Sequence, residues 1–571
     1  MKKNVSATDL GITALVGLAV LAFALGATAE LLGYALAHRW PALPGGPFAA
    51  GLSILQHPTS PAIAWPPGER GQAPGPLLYW ATLCLLVGCG VAAALRWKRG
   101  GDGRSAHMPG HASARDVKRE FATSRATRRG RAAAPTVPAI DLGIDRATGR
   151  TIYGRTEDSY LALGPPRCGK TSSLLIPNLA VWPAAAVVTS TRAELAEHTW
   201  FLRPGGAFLF DPTGFAHIPG LATIKWSPVA GCGDPLVALL RARAFVNASP
   251  AGRGVTNGDY WSGAAITVLR CLLHAAAIAD HDIRTVQRWL NDPDSTEPAA
   301  ILIGSIVAPT WAAEWEGIRT TPARERGSIY NSTRRALDAL ADPRVVASCC
   351  PARGEGLDFA RLIEQRSTLY IVGDSRSQEA IAPLVSALVE SLIDLARRRT
   401  PTMSTRVGPP VPILGLFLDE AAQIAPIPSL PSVLADGGGS GITTIVVLQS
   451  LSQARHRWGV HAADSMWNAS TAKIIFGGLA EDNDLERISR LCGEHEQETR
   501  SISRGTGHSS ETVGTRTARV IDGAELRQMP PGEVLLLYRR LRPVRARLTP
   551  WWKRSCAERI RAGHERSGGA A

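Results

Sequence analysis

Apolar positions follow two regimes along this chain. In the first hundred residues they run unbroken: LGITALVGLAVLAFALGATA (10–29) and LLYWATLCLLVGCGVAAAL (77–95) carry no charge. A helix needs about 20 apolar residues to cross the hydrocarbon core of a bilayer. The pattern therefore predicts two transmembrane helices, over about 10–32 and 77–95. For the first run the competing reading is a cleaved signal peptide, because Lys2 and Lys3 precede it. For the second it is a buried soluble helix, against which stand Tyr79, Trp80 and Trp97 at its ends, residues suited to membrane interfaces.

Further along, short apolar runs alternate with helical periodicity. SYLALG (159–164), AAAVVTS (184–190), GAFLFDP (206–212), STLYIVGD (367–374), PILGLFLDE (412–420), GITTIVVLQS (441–450) and AKIIFGG (472–478) read as strands. Continuously apolar strands are buried on both faces, as in parallel sheets. With helices between them, for example over 378–399, they predict an α/β fold whose parallel sheet is covered on both faces. Residues 233–350 show almost no strand signal and read as helical, as in WSGAAITVLRCLLHAAAIA (261–279). A structureless loop of that length is out of keeping with compact domains, so an all-α domain is expected to interrupt the sheet. Residues 532–552 read as a hairpin turning near Pro543 and carrying Arg539, Arg540, Arg542, Arg545 and Arg547.

Charge adds orientation. The chain has 63 Lys+Arg against 49 Asp+Glu, a formal net charge of +14. Such an excess suits nucleic acid or anionic lipid, or is a solvated basic surface. Lys2 and Lys3 precede the first span, and Arg96, Lys98, Arg99 and Arg104 follow the second. The positive-inside rule then puts both termini in the cytoplasm, with a cytoplasmic body on a two-helix anchor in the plasma (inner) membrane. Residues 96–131 contain eleven Lys/Arg and three Asp/Glu, a segment expected to lie against anionic lipid or be solvated, or to touch a nucleic-acid backbone. The nine cysteines include no C-x-x-C pair, which suggests neither a disulfide framework nor a zinc site.

Chemistry enters at LALGPPRCGKTSSLL (161–175). Gly164, Pro165, Pro166, Arg167, Cys168, Gly169, Lys170 and Thr171 satisfy G-x-x-x-x-G-K-[ST], between an expected strand and a helix reaching Pro177. In that setting backbone N–H groups form an anion-binding nest and the helix N-terminus adds partial positive charge. With Ser172, these residues are the candidate nucleotide-binding set. Lys170 reaches the β- and γ-phosphates, and Thr171 ligates Mg²⁺. Alkylation of Cys168 is expected to block binding. The run ending in Asp419-Glu420 places two carboxylates at a strand's C-terminal end, where open α/β sheets bind ligands. Asp419 is the second Mg²⁺ candidate and Glu420 the candidate for polarising the attacking water; the alternative is an acidic helix cap. Gln449, at the tip of the following strand, either contacts the γ-phosphate and its water or partners a helix cap.

Taken together, GPPRCGKT, FDPTG, WSPV, the helical insertion, LFLDEAAQI, VVLQSLSQ, KIIFGG and MPPGEVLLLYRRLRPV resemble the type IV coupling proteins, the TraG/TraD-like ATPases of conjugative transfer and type IV secretion. The resemblance implies a RecA-like P-loop domain, ATP and Mg²⁺ as cofactors, and a homo-hexameric ring with nucleotide at its interfaces. It also implies DNA, with a relaxase, or protein as substrate, handed to a type IV secretion channel. The implied organisation is an anchor over 1–100 and a basic linker and start of the body over 101–150. The nucleotide-binding domain occupies 151–232 and 351–555, the all-α insertion 233–350, and a disordered tail 556–571. Two segments depart from the family pattern. TSTRAEL (189–195) stands where relatives carry a lysine-containing acidic stretch, and DGGGSG (436–441) lacks the arginine many relatives have before the glutamine-bearing strand. Either another arginine substitutes, Arg455 or Arg457, or hydrolysis is slow without partners. An FtsK-like septal DNA translocase and a non-hydrolysing recruitment scaffold are the rival readings.

Overall fold

The computed structural model describes residues 7–37, 40–101, 109–121, 139–249, 257–374, 376–403, 412–505 and 508–568. The chain divides into two compact units, Met1–Arg104 and Ser105–Ala571. Much of the basic segment 96–131, and Lys2 and Lys3, lie outside the described residues.

The smaller unit contains helices Ala7–Ala37 and Pro76–Gly101, with helix Gly46–Gln56 between them. Leu25, Ala29, Ile54, Trp65 and Tyr79 form its buried core, and Tyr79 Oη donates to Leu25 O at 2.5 Å. Among the described residues, the apolar stretches of the two longer helices are Leu21–Leu36 and Pro76–Gly88. Among the described residues one helix, Gly258–Ile278, is long and apolar enough to cross a bilayer. Val268, Leu269, Leu272 and Leu273 of that helix are buried in the core of the larger unit, so its apolarity reflects packing.

The larger unit is built on a sheet of 12 strands. Its strands are β1 (Ala139–Asp145), β2 (Thr151–Arg155), β3 (Ser159–Leu163), β4 (Ala185–Ser190), β5 (Ala207–Phe210), β6 (Ala222–Thr223), β7 (Thr368–Val372), β8 (Leu414–Leu418), β9 (Ile442–Leu448) and β10 (Ala472–Phe476), then, after a separate hairpin of β11 (Glu494–Gly505) and β12 (His508–Arg519), β13 (Glu533–Tyr538) and β14 (Val544–Arg547). The order across the sheet is β2-β1-β14-β13-β10-β3-β9-β8-β4-β7-β5-β6. From β10 to β6 every pairing is parallel. From β10 to β2 every pairing is antiparallel. The sheet is thus mixed, not purely parallel, because the hairpins β1-β2 and β13-β14 extend one edge.

Strands β3, β4, β7, β8 and β9 are buried along their whole length. Alternation still sorts their side chains: Leu161 and Leu163 of β3 enter one core, Tyr160 and Ala162 the other. The first of these cores is continuous with the helical insertion, whose Trp289, Trp315 and Tyr330 belong to it. Full burial of each such side chain contributes about 1.5–3 kcal/mol relative to exposure. Between 233 and 350 the described residues form helices and no strand.

Four expectations change. The sheet starts at Ala139, ahead of the boundary placed at 151, because β1 pairs with both β2 and β14. The tail expected to be disordered contains helix Ala557–Gly568, whose Ile560 is buried. The helix after the phosphate loop does not end at Pro177. Its first stretch, Lys170–Leu175, is a π-helix that runs directly on into Ile176–Leu179, which contains Pro177. Within the arginine-rich hairpin, Arg539 is paired with the buried Asp158 at 2.6 Å and Arg545 with Glu525 at 2.5 Å and Glu533 at 3.1 Å. Part of that cationic set therefore clamps the sheet edge.

Candidate functional site

Parallel strands put all their C-terminal ends on one side of the sheet. The order β3-β9-β8-β4 therefore brings four tips into a row: the phosphate loop after β3, Gln449 after β9, Asp419-Glu420 after β8, and the Thr191 turn after β4. The loop leaves β3 at Gly164, whose N–H donates to Leu448 O of β9 at 3.2 Å. It reverses through Arg167 and Gly169, with φ of 64° and 97°; the left-handed value is routine for glycine and uncommon for arginine. Pro166 and Arg167 are exposed and Pro165, Cys168, Thr171 and Ser172 partly exposed, whereas Lys170 is buried.

Lys170 Nζ donates to Gly164 O at 2.7 Å and Pro165 O at 2.6 Å. The ammonium is thus folded into the loop it would share with a phosphate, and the carbonyl contacts keep a buried charge satisfied. Cys168 Sγ lies 3.8 Å from it. Burial pushes the Cys168 thiol above its ordinary range, and the nearby Lys170 pulls it down more weakly.

Thr171 Oγ1 donates to Asp419 Oδ2 at 2.8 Å, joining residues 248 positions apart. Asp419 N donates to Thr189 O of β4 at 3.1 Å, which fixes the carboxylate at the strand tip. Burial raises its pKa to about 6, opposed by the Thr171 hydrogen bond and reinforced by the charge of Glu420. A desolvated carboxylate sharing a hydroxyl is a hard oxygen donor pair of the kind Mg²⁺ accepts, so the residues present fit that ion. Glu420 has a left-handed backbone, φ 50°. Its Oε2 accepts from Thr191 Oγ1 at 2.5 Å and its Oε1 from Gln449 Nε2 at 3.5 Å. Lys170, Thr171, Asp419, Glu420 and Gln449 are therefore gathered in one cleft. The Glu420 side chain does not cap a helix: no side-chain capping bond is formed at its position.

Several residues that steady the cleft carry no local sequence signal. Asn178 Oδ1 accepts from Asp141 N at 2.7 Å, while its Nδ2 donates to Leu174 O at 2.8 Å, tying the π-helix to β1. Arg554 bridges Asp141 Oδ2 at 2.6 Å and Ser173 O at 3.1 Å, tying in the C-terminal segment. Arg203 is buried; its Nη2 donates to Trp182 O at 2.8 Å, its Nε to Thr368 Oγ1 at 2.7 Å, and its Nη1 to Leu179 O at the end of the phosphate-loop helix. Burial lowers its pKa to about 10.

In the segment without an arginine the space differs by position, a Cβ at Gly439 meeting nothing within 4 Å. A Cβ at Gly438 would lie 1.9 Å from Glu157 O, so backbone approaches backbone there. Arg455 is engaged within its own chain, with Glu481 at 3.2 Å and Asp484 at 3.0 Å.

The family model described as "Type IV secretory system Conjugative DNA transfer" matches residues 139–566. The conjugal transfer protein TraG of Rhizobium radiobacter is 24% identical over 354 residues, which cover 59% of this chain and 52% of that protein. The chain spans about half the length of such curated relatives. Among solved structures, the bacterial conjugative coupling protein TrwBdeltaN70 matches with a TM-score of 0.54 at 18% identity, over 76% of this chain and 91% of that one. The plasmid coupling protein TrwB in complex with ADP and Mg²⁺ matches with a TM-score of 0.53 at 18% identity, over 77% and 94% respectively. At these identities the likeness establishes a shared α/β fold.

Proposed function

The chain belongs to the conjugative DNA-transfer family of type IV secretory systems, the type IV coupling proteins, and from that premise we propose that it is a membrane-anchored ATPase that delivers DNA or a DNA–protein substrate to a secretion channel. The observation that carries the proposal is the Thr171–Asp419 hydrogen bond beside the Lys170 loop. It supports a single cleft in which loop, metal ligands and base meet. The ADP and Mg²⁺ complex of TrwB supports the same cofactors here.

In this reading the loop N–H groups and Lys170 bind the β- and γ-phosphates, Lys170 exchanging its two carbonyl contacts for phosphate oxygens. Thr171 and Asp419 hold Mg²⁺, which supplies charge neutralisation on those oxygens. Glu420 accepts the proton of the attacking water, and Gln449 orients that water against the γ-phosphate. The anchor is assigned to helices Ala7–Ala37 and Pro76–Gly101, with both termini cytoplasmic. Six copies forming a ring, with nucleotide between them, would convert interface closure into movement of substrate. The net charge of +14 supports a polyanionic substrate, whose binding then weakens steeply with salt.

The test is phosphate release by the purified chain with and without single-stranded DNA. Activity that rises with DNA and disappears in Lys170→Ala supports the motor. Equal, DNA-independent release in both supports a recruitment scaffold, a reading favoured by the engagement of Arg455 within its own chain.

A further inference from the structure

The two hydrogen bonds to Glu420 are unequal and point in opposite directions along the sheet. Gln449 lies on the β9 side, toward the phosphate loop, and reaches Oε1 only at 3.5 Å. Thr191 lies on the β4 side, away from the loop, and reaches Oε2 at 2.5 Å. Short hydroxyl-to-carboxylate bonds are the stronger class, so the balance draws the carboxylate off the phosphate side.

We infer that Thr191 is a positioning residue acting as a latch on Glu420, and that this latch holds down the basal rate of nucleotide hydrolysis. The inference rests on the ATPase reading above. While Thr191 donates to Oε2, that oxygen is engaged away from the γ-phosphate. When the turn after β4 shifts, Oε2 is free to take the proton of the attacking water. The water oxygen then bonds to the γ-phosphorus, the bond from that phosphorus to the bridging oxygen breaks, and ADP and phosphate leave. Arg192 N donates to Ser190 Oγ at 3.2 Å within that turn, and it leads directly into helix Glu194–Thr199, so displacement of that helix pulls Thr191 from Glu420.

The test compares Lys170-dependent phosphate release, without DNA, in the full-length chain and in Thr191→Val and Thr191→Ser. Loss of a charge-assisted hydrogen bond is expected to raise kcat about tenfold in Thr191→Val, with KM for ATP unchanged. Thr191→Ser, which keeps the hydroxyl, is expected to restore the low rate. A Thr191→Val rate equal to or below wild type, with ATP-analogue binding intact, overturns the latch, because Thr191 would then merely support Glu420. Should the wild type release no Lys170-dependent phosphate, Thr191→Val still decides: appearance of activity supports the latch, continued silence with analogue bound overturns it. Failure of the ATPase reading itself shows differently, as release that Lys170→Ala does not change.

Discussion

Thr171 Oγ1 and Asp419 Oδ2 stand 2.8 Å apart at the ends of two strands separated in the sheet by a third. That contact fixes the phosphate loop against the acidic strand tip. It makes the metal pair a property of the sheet order rather than of either loop alone.

The first prediction concerns Asp419. Its carboxyl titrates near pH 6, raised chiefly by burial. Between its ordinary value near 4 and about 6 the native state holds the proton that the unfolded chain has lost. Stability therefore falls as pH rises through that window, and above it the cost of the buried charge is fully present. Asp419→Asn is expected to raise the thermal midpoint of the nucleotide-free chain at pH 7.5. The same substitution is expected to remove most of the Mg²⁺-dependent stabilisation by ADP, both read by scanning calorimetry.

A second prediction concerns the C-terminal helix. His198 Nδ1 and His564 Nε2 are 2.8 Å apart, one ring necessarily donating and the other accepting. Burial and the His564 charge lower the pKa of His198 to about 4. The native state thus binds fewer protons than the unfolded chain between about 4 and 6.5, so stability contributed here is present above that window and lost as pH falls through it. Hydrogen exchange over residues 557–568 is expected to accelerate between pH 7 and pH 5 beyond the intrinsic rate change, and His198→Asn to flatten that response.

Arg203 supplies a third. It satisfies carbonyls at the end of the phosphate-loop helix and at the entry to β4. Replacing it with leucine removes the side-chain donor of Trp182 O and leaves Leu179 O with its bond from Trp182 N, at about 1–3 kcal/mol per orphaned group with partial relaxation. A total loss of roughly 2–4 kcal/mol is expected in denaturant unfolding, with nucleotide affinity reduced because the loop helix loses its anchor.

The fourth concerns Cys168, half-exposed in the loop. Its raised thiol pKa means slow reaction with maleimide at neutral pH and faster reaction above pH 9. Peptide mapping is expected to show that Mg-ADP protects Cys168 but not the half-exposed Cys350, and that the modified chain has lost nucleotide binding.

The parallel half of the sheet was legible because its strands are continuously apolar, as in β8 (Leu414–Leu418) and β9 (Ile442–Leu448). Of the antiparallel part, the β13-β14 hairpin was legible; β1 and β2 were not, since β1 alternates Ile140 and Leu142 with polar and glycine positions and β2 has exposed Thr151 and Tyr153. β11 and β12 pair over their whole length with scarcely an apolar residue, so no hydrophobic period marks them. The phosphate loop and Asp419-Glu420 announce themselves through residue type and spacing. Thr191, Asn178 and Arg203 do not, because each acts across elements that only the strand order makes neighbours.

The most direct test of the single-cleft account is a double-mutant cycle on Mg-ADP affinity, measured by titration calorimetry with Thr171→Val, Asp419→Asn and the pair. Residues that share one metal site are expected to be non-additive: each single variant loses Mg²⁺-dependent affinity, and the double variant binds little worse than the weaker single. Losses that simply add, or Mg²⁺-dependent affinity that survives in both single variants, would contradict it.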